Sequence, residues 1–340
     1  MYDAVMKVTV LLPLTAPPMN QSSATRETSF AQAVCLPILQ NSQNEDGGWG
    51  FRNGFVSRVE PTCWALLALL GSDFSEQESG RISRGLEFLR KAQLADGSWP
   101  ASPEQQTGAS ATSLACWTLI SAKDGSNAAA AGLRWICSDW PKDSALWRRA
   151  INGLLRKNKD IVDHDDACRG WGWTPRTASW VEPTAFALIA LSQCPAELLP
   201  TGAKRRERLG KALLLDRMCP SGGWNCGNPM TYGVAGEPLV VPTVWALIAL
   251  REERERHEVK ASLDWLKQNL SEIRSGVSLA LTRLCLETFG ETNEIAENRI
   301  RIAFERNAFL ENVCAAAWTC LAFAEKSQWP RVMRHPAENC

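Results

Sequence analysis

Histidine is scarce in this chain, 3 of 340 residues, so little imidazole is available for a metal centre. Long apolar stretches are missing as well. No run reaches the roughly 18 residues that a spanning helix needs, so no segment reads as transmembrane. Neither sign of charge is in excess, with 37 Lys and Arg against 37 Asp and Glu. A chain without a strong field gives nucleic acid nothing to steer by, and no nucleic-acid partner is expected. C-x-x-C pairs are absent too. The 12 cysteines stand singly from Cys35 to Cys340, several among Ala, Leu and Trp, which is the setting of buried reduced thiols rather than of a disulfide framework.

What is present is a repeated unit. Charged segments with one apolar stripe, such as "GRISRGLEFLRKAQ", recur near 29–42, 80–92, 127–157 (interrupted by Pro141), 203–218, 257–270 and 293–306, the pattern of helices with one face in water. Each alternates with a segment apolar on nearly all sides: "EPTCWALLALL", "SATSLACWTLIS", "EPTAFALIALS", "VPTVWALIAL", "GVSLALTRLCLETF" and "NVCAAAWTCLAF". A helix apolar all round has to be buried all round. Six outer helices around six inner ones close into a ring, so the expected fold is all-α, an (α/α)6 toroid of six helical hairpins. An open solenoid of the HEAT or TPR kind is the competing arrangement, and it has no funnel at its centre. The expected domain spans 29–326, after a disordered lead at 1–28 and before a tail at 327–340. Within the lead the apolar run Val8–Leu14 is short for a signal-peptide core and is broken by Pro13, so a cytoplasmic protein is expected.

Between the hairpins, "QNEDGGW" at 43–49 and "QLADGSW" at 93–99 both fit Q-x-x-D-G-x-W. Asp and Gly make a tight turn after an outer helix. The Trp covers that turn, and the Gln amide reaches backbone groups left open at a helix end. The Glu-Pro-Thr at 60–62 and again at 182–184 reads as a helix entrance, with Pro in the first turn, where a missing N–H costs nothing.

These residues resemble the terpene cyclase/prenyltransferase toroid superfamily, which includes squalene-hopene cyclase. Its QW-type repeat has a basic and a small residue, an aromatic and aliphatic pair, then Gln and Gly-x-Trp. Arg84-Gly85, Phe88-Leu89, Gln93 and Gly97-Ser98-Trp99 match it in full, Lys260-Ala261, Trp265-Leu266 and Gln268 in its first part. The resemblance implies a central cavity that takes a small apolar, isoprenoid substrate, and cyclase or isomerase chemistry. Peripheral contact with a membrane, as in monotopic cyclases, is left open, since no separate amphipathic insertion helix is evident.

The family's proton donor opens an inner helix as D-x-D-D-T-A. Asp163-His164-Asp165-Asp166 fits D-x-D-D literally but runs into "ACRGWGW", a loop; Asp163, Asp165 and Asp166 are therefore either an acid cluster or a solvated helix cap. Aligning Thr184-Ala185 with the family's Thr-Ala puts Glu182 at the donor position and Glu60 at its counterpart in the first repeat. Both are either general acids with pKa raised by an apolar surround, or plain first-turn carboxylates favoured by the helix dipole. Trp64, Trp180, Phe186, Trp245 and Tyr232 are the expected substrate-facing aromatics, and Arg58 and Arg176 the cations that would meet a diphosphate. No metal ligand set is evident: the Asp, Cys and His of zinc prenyltransferases have no counterpart here, and Mg²⁺ enters only with a diphosphate substrate. The other functional class left standing is a non-catalytic toroid that binds a lipid or a protein.

Overall fold

The computed structural model describes residues 29–71, 77–141, 165, 168–291, 295–307 and 311–324; His164, Asp163 and Asp166, and the lead and tail segments 1–28 and 325–340, lie outside them. The six apolar segments form the inner helices α2 (Val59–Leu70), α4 (Ala111–Ser121), α6 (Val181–Gln193), α8 (Val240–Ala249), α10 (Gly276–Thr288) and α12 (Val313–Phe323). Their one- or two-residue agreement with the sequence reading follows from burial. In α2 every residue from Pro61 to Leu69 is buried, and only an apolar run tolerates that. The stripe-bearing segments form α1 (Leu36–Asn41, continuing a π-helical stretch Ala31–Cys35), α3 (Ser79–Ala92), α5 (Ala128–Ser138), α7 (Ala203–Asp216), α9 (His257–Gln268) and α11 (Glu297–Asn307).

Neighbour contacts settle the architecture. α2 packs on α4, α4 on α6, α6 on α8, α8 on α10, α10 on α12, and α12 returns to α2. The inner helices thus stand in a closed circle, as expected of a toroid and not of an open solenoid. Outside it, α3, α5, α7, α9 and α11 cover α2, α4, α6, α8 and α10, while α1 covers α12 and so joins the first hairpin to the last. Among the described residues no helix is long and apolar enough to cross a membrane.

A repeated set of hydrogen bonds holds each outer helix to the next hairpin. The buried indoles of Trp49, Trp99 and Trp224 donate Nε1–H to the carbonyls of Leu39, Leu89 and Leu214 at the ends of α1, α3 and α7, at 2.6–2.7 Å. The backbone N–H of each Trp donates to a threonine hydroxyl on the inner helix, Thr62, Thr112 and Thr243, at 2.8–2.9 Å. The glutamine amides run sideways: Gln43 donates to Gly47 and Arg81, and Gln93 to Gly97 and Ala128, each bond 2.9 Å. Gln therefore ties one repeat to the start of the next outer helix. The small residue of the signature is required by close approach: a Cβ on Gly85 would lie 2.8 Å from the Trp49 ring and 2.8 Å from the Leu66 side chain.

The third repeat departs from this pattern. The sequence reading has the outer segment 127–157 interrupted at Pro141, and α5 ends at Ser138, just before that proline, which has no N–H to extend it. Trp171 nevertheless finds its acceptor at the end of α5, donating Nε1–H to Ile136 at 2.8 Å. Trp140 follows Ile136 by the same interval as Gln43 follows Leu39. In the glutamine's place it stacks on Arg206, whose guanidinium lies 4.3 Å from the Trp140 ring and 3.9 Å from that of Trp171. Arg206 also donates to the carbonyls of Asp139 and Gly170, both at 3.0 Å. A cation sandwiched by indoles thus takes over the amide's task.

Candidate functional site

The loops that carry Gly and Trp all lie at one end of the circle, where the inner helices begin, and they interlock there. Three of the loops offer a carbonyl to the first N–H groups of the preceding inner helix, which have no partner within the helix: Phe51 accepts from Val313 at 2.9 Å, Trp173 from Ser110 at 3.0 Å and Cys226 from Val181 at 3.2 Å. The bond from Val313 to Phe51 joins the last repeat to the first. At their tips the same loops expose Phe51, Phe55, Val56, Trp173, Trp180, Tyr232, Val234 and Leu239, an apolar rim around one mouth. Tyr232 caps a small hairpin of β1 (Met230–Thr231) and β2 (Val234–Ala235) and is 72% exposed.

Glu60 and Glu182 stand inside this rim in the first turns of α2 and α6, each half-buried. Burial raises the pKa of Glu60. Glu182 is pushed up to about 7, first by burial and then by the negative charge of Glu60. The two carboxyls therefore sense one another across α4, and no cation contributes to the shift of either. An isolated first-turn carboxylate would be stabilised as an anion by the helix dipole. Here desolvation and the like charge win, so both carboxyls are shifted toward their protonated forms.

Beneath the carboxyls the centre is not hollow. Trp64 lies one turn below Glu60 on α2, and Phe186 one turn below Glu182 on α6; because helical side chains lean toward the N-terminus, both rings reach up toward the mouth. Trp64 stacks on Trp245 with ring centroids 5.0 Å apart and meets Trp117, Phe186 and Trp318 edge-on at 5.6, 5.9 and 5.5 Å. Trp64, Trp117 and Trp245 are 0% exposed and Phe186 5%; a void large enough for water would leave them some accessible surface. The expectation of an open, aromatic-lined cavity at this depth is thus corrected: Trp64, Phe186 and Trp245 form a plug, and the two carboxyls stand above it. Five inner helices supply these rings, and close packing of edge and face is what aromatic groups prefer.

The remaining candidates scatter. Trp180 precedes α6 at the rim, 37% exposed. Arg58 reaches the Ala101 carbonyl at 3.5 Å, and Arg176 lies by Asp139 at the end of α5, so the structure does not bring either cation onto the carboxyl pair. Asp165 is exposed, its backbone N–H 3.2 Å from the Asp216 carboxylate at the end of α7; it stands at an outer helix end and not with Glu60 and Glu182. Three groups escaped the sequence reading: the buried indole N–H groups of Trp64, Trp117 and Trp318 have no hydrogen-bond partner. A buried donor left unpaired costs about 1–3 kcal/mol. Only their recurrence near the middle of inner helices hinted at them.

Comparison with known proteins adds three findings. Residues 9–110 match the squalene-hopene cyclase C-terminal domain. Lanosterol synthase of Candida albicans is 34% identical over 83 residues, a match that takes in 22% of this chain and 11% of that protein's length. Among solved structures, a protein from Actinoplanes superposes with a TM-score of 0.52 at 15% identity, over 81% of this chain and 78% of that one, and an alpha-amylase from Clostridium perfringens with 0.53 at 10%, over 88% and 99%. The two structures share the fold and no more. The sequence matches bear out the resemblance to the terpene cyclase toroid superfamily.

Proposed function

We propose that this protein, similar to the terpene cyclases in its repeats, binds a small apolar isoprenoid at the mouth of its toroid and initiates cyclisation or isomerisation with a proton from Glu182. The observation that carries this reading is the cation-free pair of half-buried carboxyls above an aromatic floor, with Glu182 pushed up to about 7. A general acid works best when its pKa lies near the working pH. Protonated Glu182 gives its proton to one alkene carbon and leaves a carbocation at the other, which the Trp64 and Phe186 π-clouds favour. Loss of a proton from a neighbouring carbon to the carboxylate restores the acid. Glu60 holds the proton on Glu182 by repelling its anion, a positioning task. The rim of Phe55, Trp173, Trp180 and Tyr232 receives the apolar substrate and, where the protein works at a membrane surface, meets the bilayer. No metal takes part; Mg²⁺ accompanies the substrate only if that is a diphosphate.

The filled centre favours a second reading, a non-catalytic toroid that binds a lipid or a protein at the same rim. Incubation with squalene, farnesyl diphosphate and geranylgeranyl diphosphate, with products separated by gas chromatography, decides between them. The enzyme reading expects a rearranged product from one of these and a loss of at least about a hundredfold in Glu182→Gln. Equal turnover by the variant removes Glu182 as the acid, and turnover of none of the three favours the binding toroid.

A further inference from the structure

Every unpaired polar group identified in the central aromatic cluster is a donor. Trp64, Trp117 and Trp318 each carry a buried indole N–H without an acceptor, and Trp64 touches both of the others edge-on, at 5.6 and 5.5 Å. The three N–H groups thus belong to one contiguous set of rings, from α2, α4 and α12. Elsewhere in the molecule the indoles of Trp49, Trp99, Trp171 and Trp224 all find carbonyls within 2.8 Å, so an unpaired indole is not the habit of this fold. Protonated Glu182 adds another donor above them. Donors without acceptors complement a ligand that accepts and does not need to donate, such as a hydroxyl, aldehyde or ketone oxygen on an apolar body. Of the five rings only Trp318 keeps appreciable exposed surface, which makes it the side chain able to yield to a ligand entering from the mouth.

We infer that the indole N–H groups of Trp64, Trp117 and Trp318 form an oxygen-binding subsite, and that the ligand of the mouth is a neutral isoprenoid carrying a hydroxyl or carbonyl oxygen rather than a plain hydrocarbon. This rests on the mouth being the binding site for an apolar molecule, but not on catalysis. The oxygen accepts from the indoles and anchors one end of the ligand, while its chain lies along the rim.

The test uses the full chain labelled with ¹⁵N at the tryptophan indoles and two probes of matched length, farnesol and farnesene. Farnesol is expected to move the indole N–H resonances of Trp64, Trp117 and Trp318 downfield and to bind about tenfold more tightly than farnesene, the worth of one donated hydrogen bond. Trp318→Phe, a conservative change at the most accessible ring, is expected to abolish that preference while farnesene binding is kept. Indole resonances that do not respond to farnesol overturn the inference, as does equal affinity for both probes. Glu182→Gln separates the two readings: it abolishes turnover if the acid assignment holds, yet leaves the farnesol shifts of Trp117 and Trp318 in place if the subsite exists.

Discussion

Replacing Thr62 by valine tests the joint that places the inner helices. The substitution keeps volume and β-branching and removes one oxygen. That oxygen accepts the Trp49 N–H at 2.8 Å and donates weakly to the Trp49 carbonyl at 3.4 Å. The carbonyl keeps a partner, because the Arg58 N–H donates to it at 2.9 Å. What is lost is one acceptor for one buried N–H, a cost of about 1–3 kcal/mol. Thr112→Val, Thr184→Val and Thr243→Val remove the same bond, at 2.9, 3.0 and 2.9 Å, and are expected to cost the same. Double variants of well-separated sites, Thr62 with Thr243, are expected to add. Denaturant titration reads the loss directly, and a thermal scan reads it as about 2 °C per kcal/mol in a domain of this size. Thr177→Val is the control, since its hydroxyl is exposed and bonds only the Thr174 carbonyl; it is expected to stay within about 0.5 kcal/mol of wild type. If the four joint variants are as stable as this control, the threonine is not the clamp described above.

Three further outcomes follow from the packing and the charges. Gly132→Ala forces a methyl to within 2.4 Å of the Cys116 sulfur and is expected to destabilise by about 1–3 kcal/mol, whereas Gly80→Ala, in α3 with open space around it, gains about 0.5–1 kcal/mol; denaturation of both variants checks the pair. Arg206→Lys keeps the charge but loses the planar fork between Trp140 and Trp171, and is expected to cost about 1–3 kcal/mol in the same assay. Glu182 has a folded pKa raised above its unfolded one, so the folded state binds the extra proton: its contribution is fully present below about pH 4.5, is lost as pH rises toward about 7, and amounts to about 2–3 kcal/mol. Stability measured from pH 4 to 8 is expected to show that decline and to lose most of it in Glu182→Gln.

Much of the fold was legible because burial writes itself into composition. The runs from Glu60 to Leu70 and from Glu182 to Ser192 have no polar face to offer water, and a set of such helices has few ways to be covered other than a ring. Gln43 and Gln93 were legible as staples because a side-chain amide in a tight turn has few other uses. Trp140 was not, since it performs the glutamine's task by stacking on a cation, a different chemistry at the same place, and the sequence shows only another tryptophan before a proline. The carboxyls at 60 and 182 were found because Glu-Pro-Thr repeats, yet nothing in one dimension shows that they face each other across α4. Nor does it separate an aromatic that lines a hollow from one that fills it: Trp64 and Trp245 have the same spacing either way, and only their 5.0 Å stacking decides. For Asp165 the sequence leaves an acid cluster and a solvated helix cap both open, because D-x-D-D is recognisable by type alone, while its function depends on which helix end it joins.

The carboxyl pair at the mouth is the claim on which function depends, and its titration tests it most directly. Carbon-13 NMR of the side-chain carboxyl of Glu182 in the full chain is expected to give an apparent pKa of about 7, falling when Glu60→Gln removes the neighbouring negative charge. A value near the ordinary 4.5 in wild type and variant alike would contradict the account, for Glu182 would then be a solvated carboxylate with no proton to give.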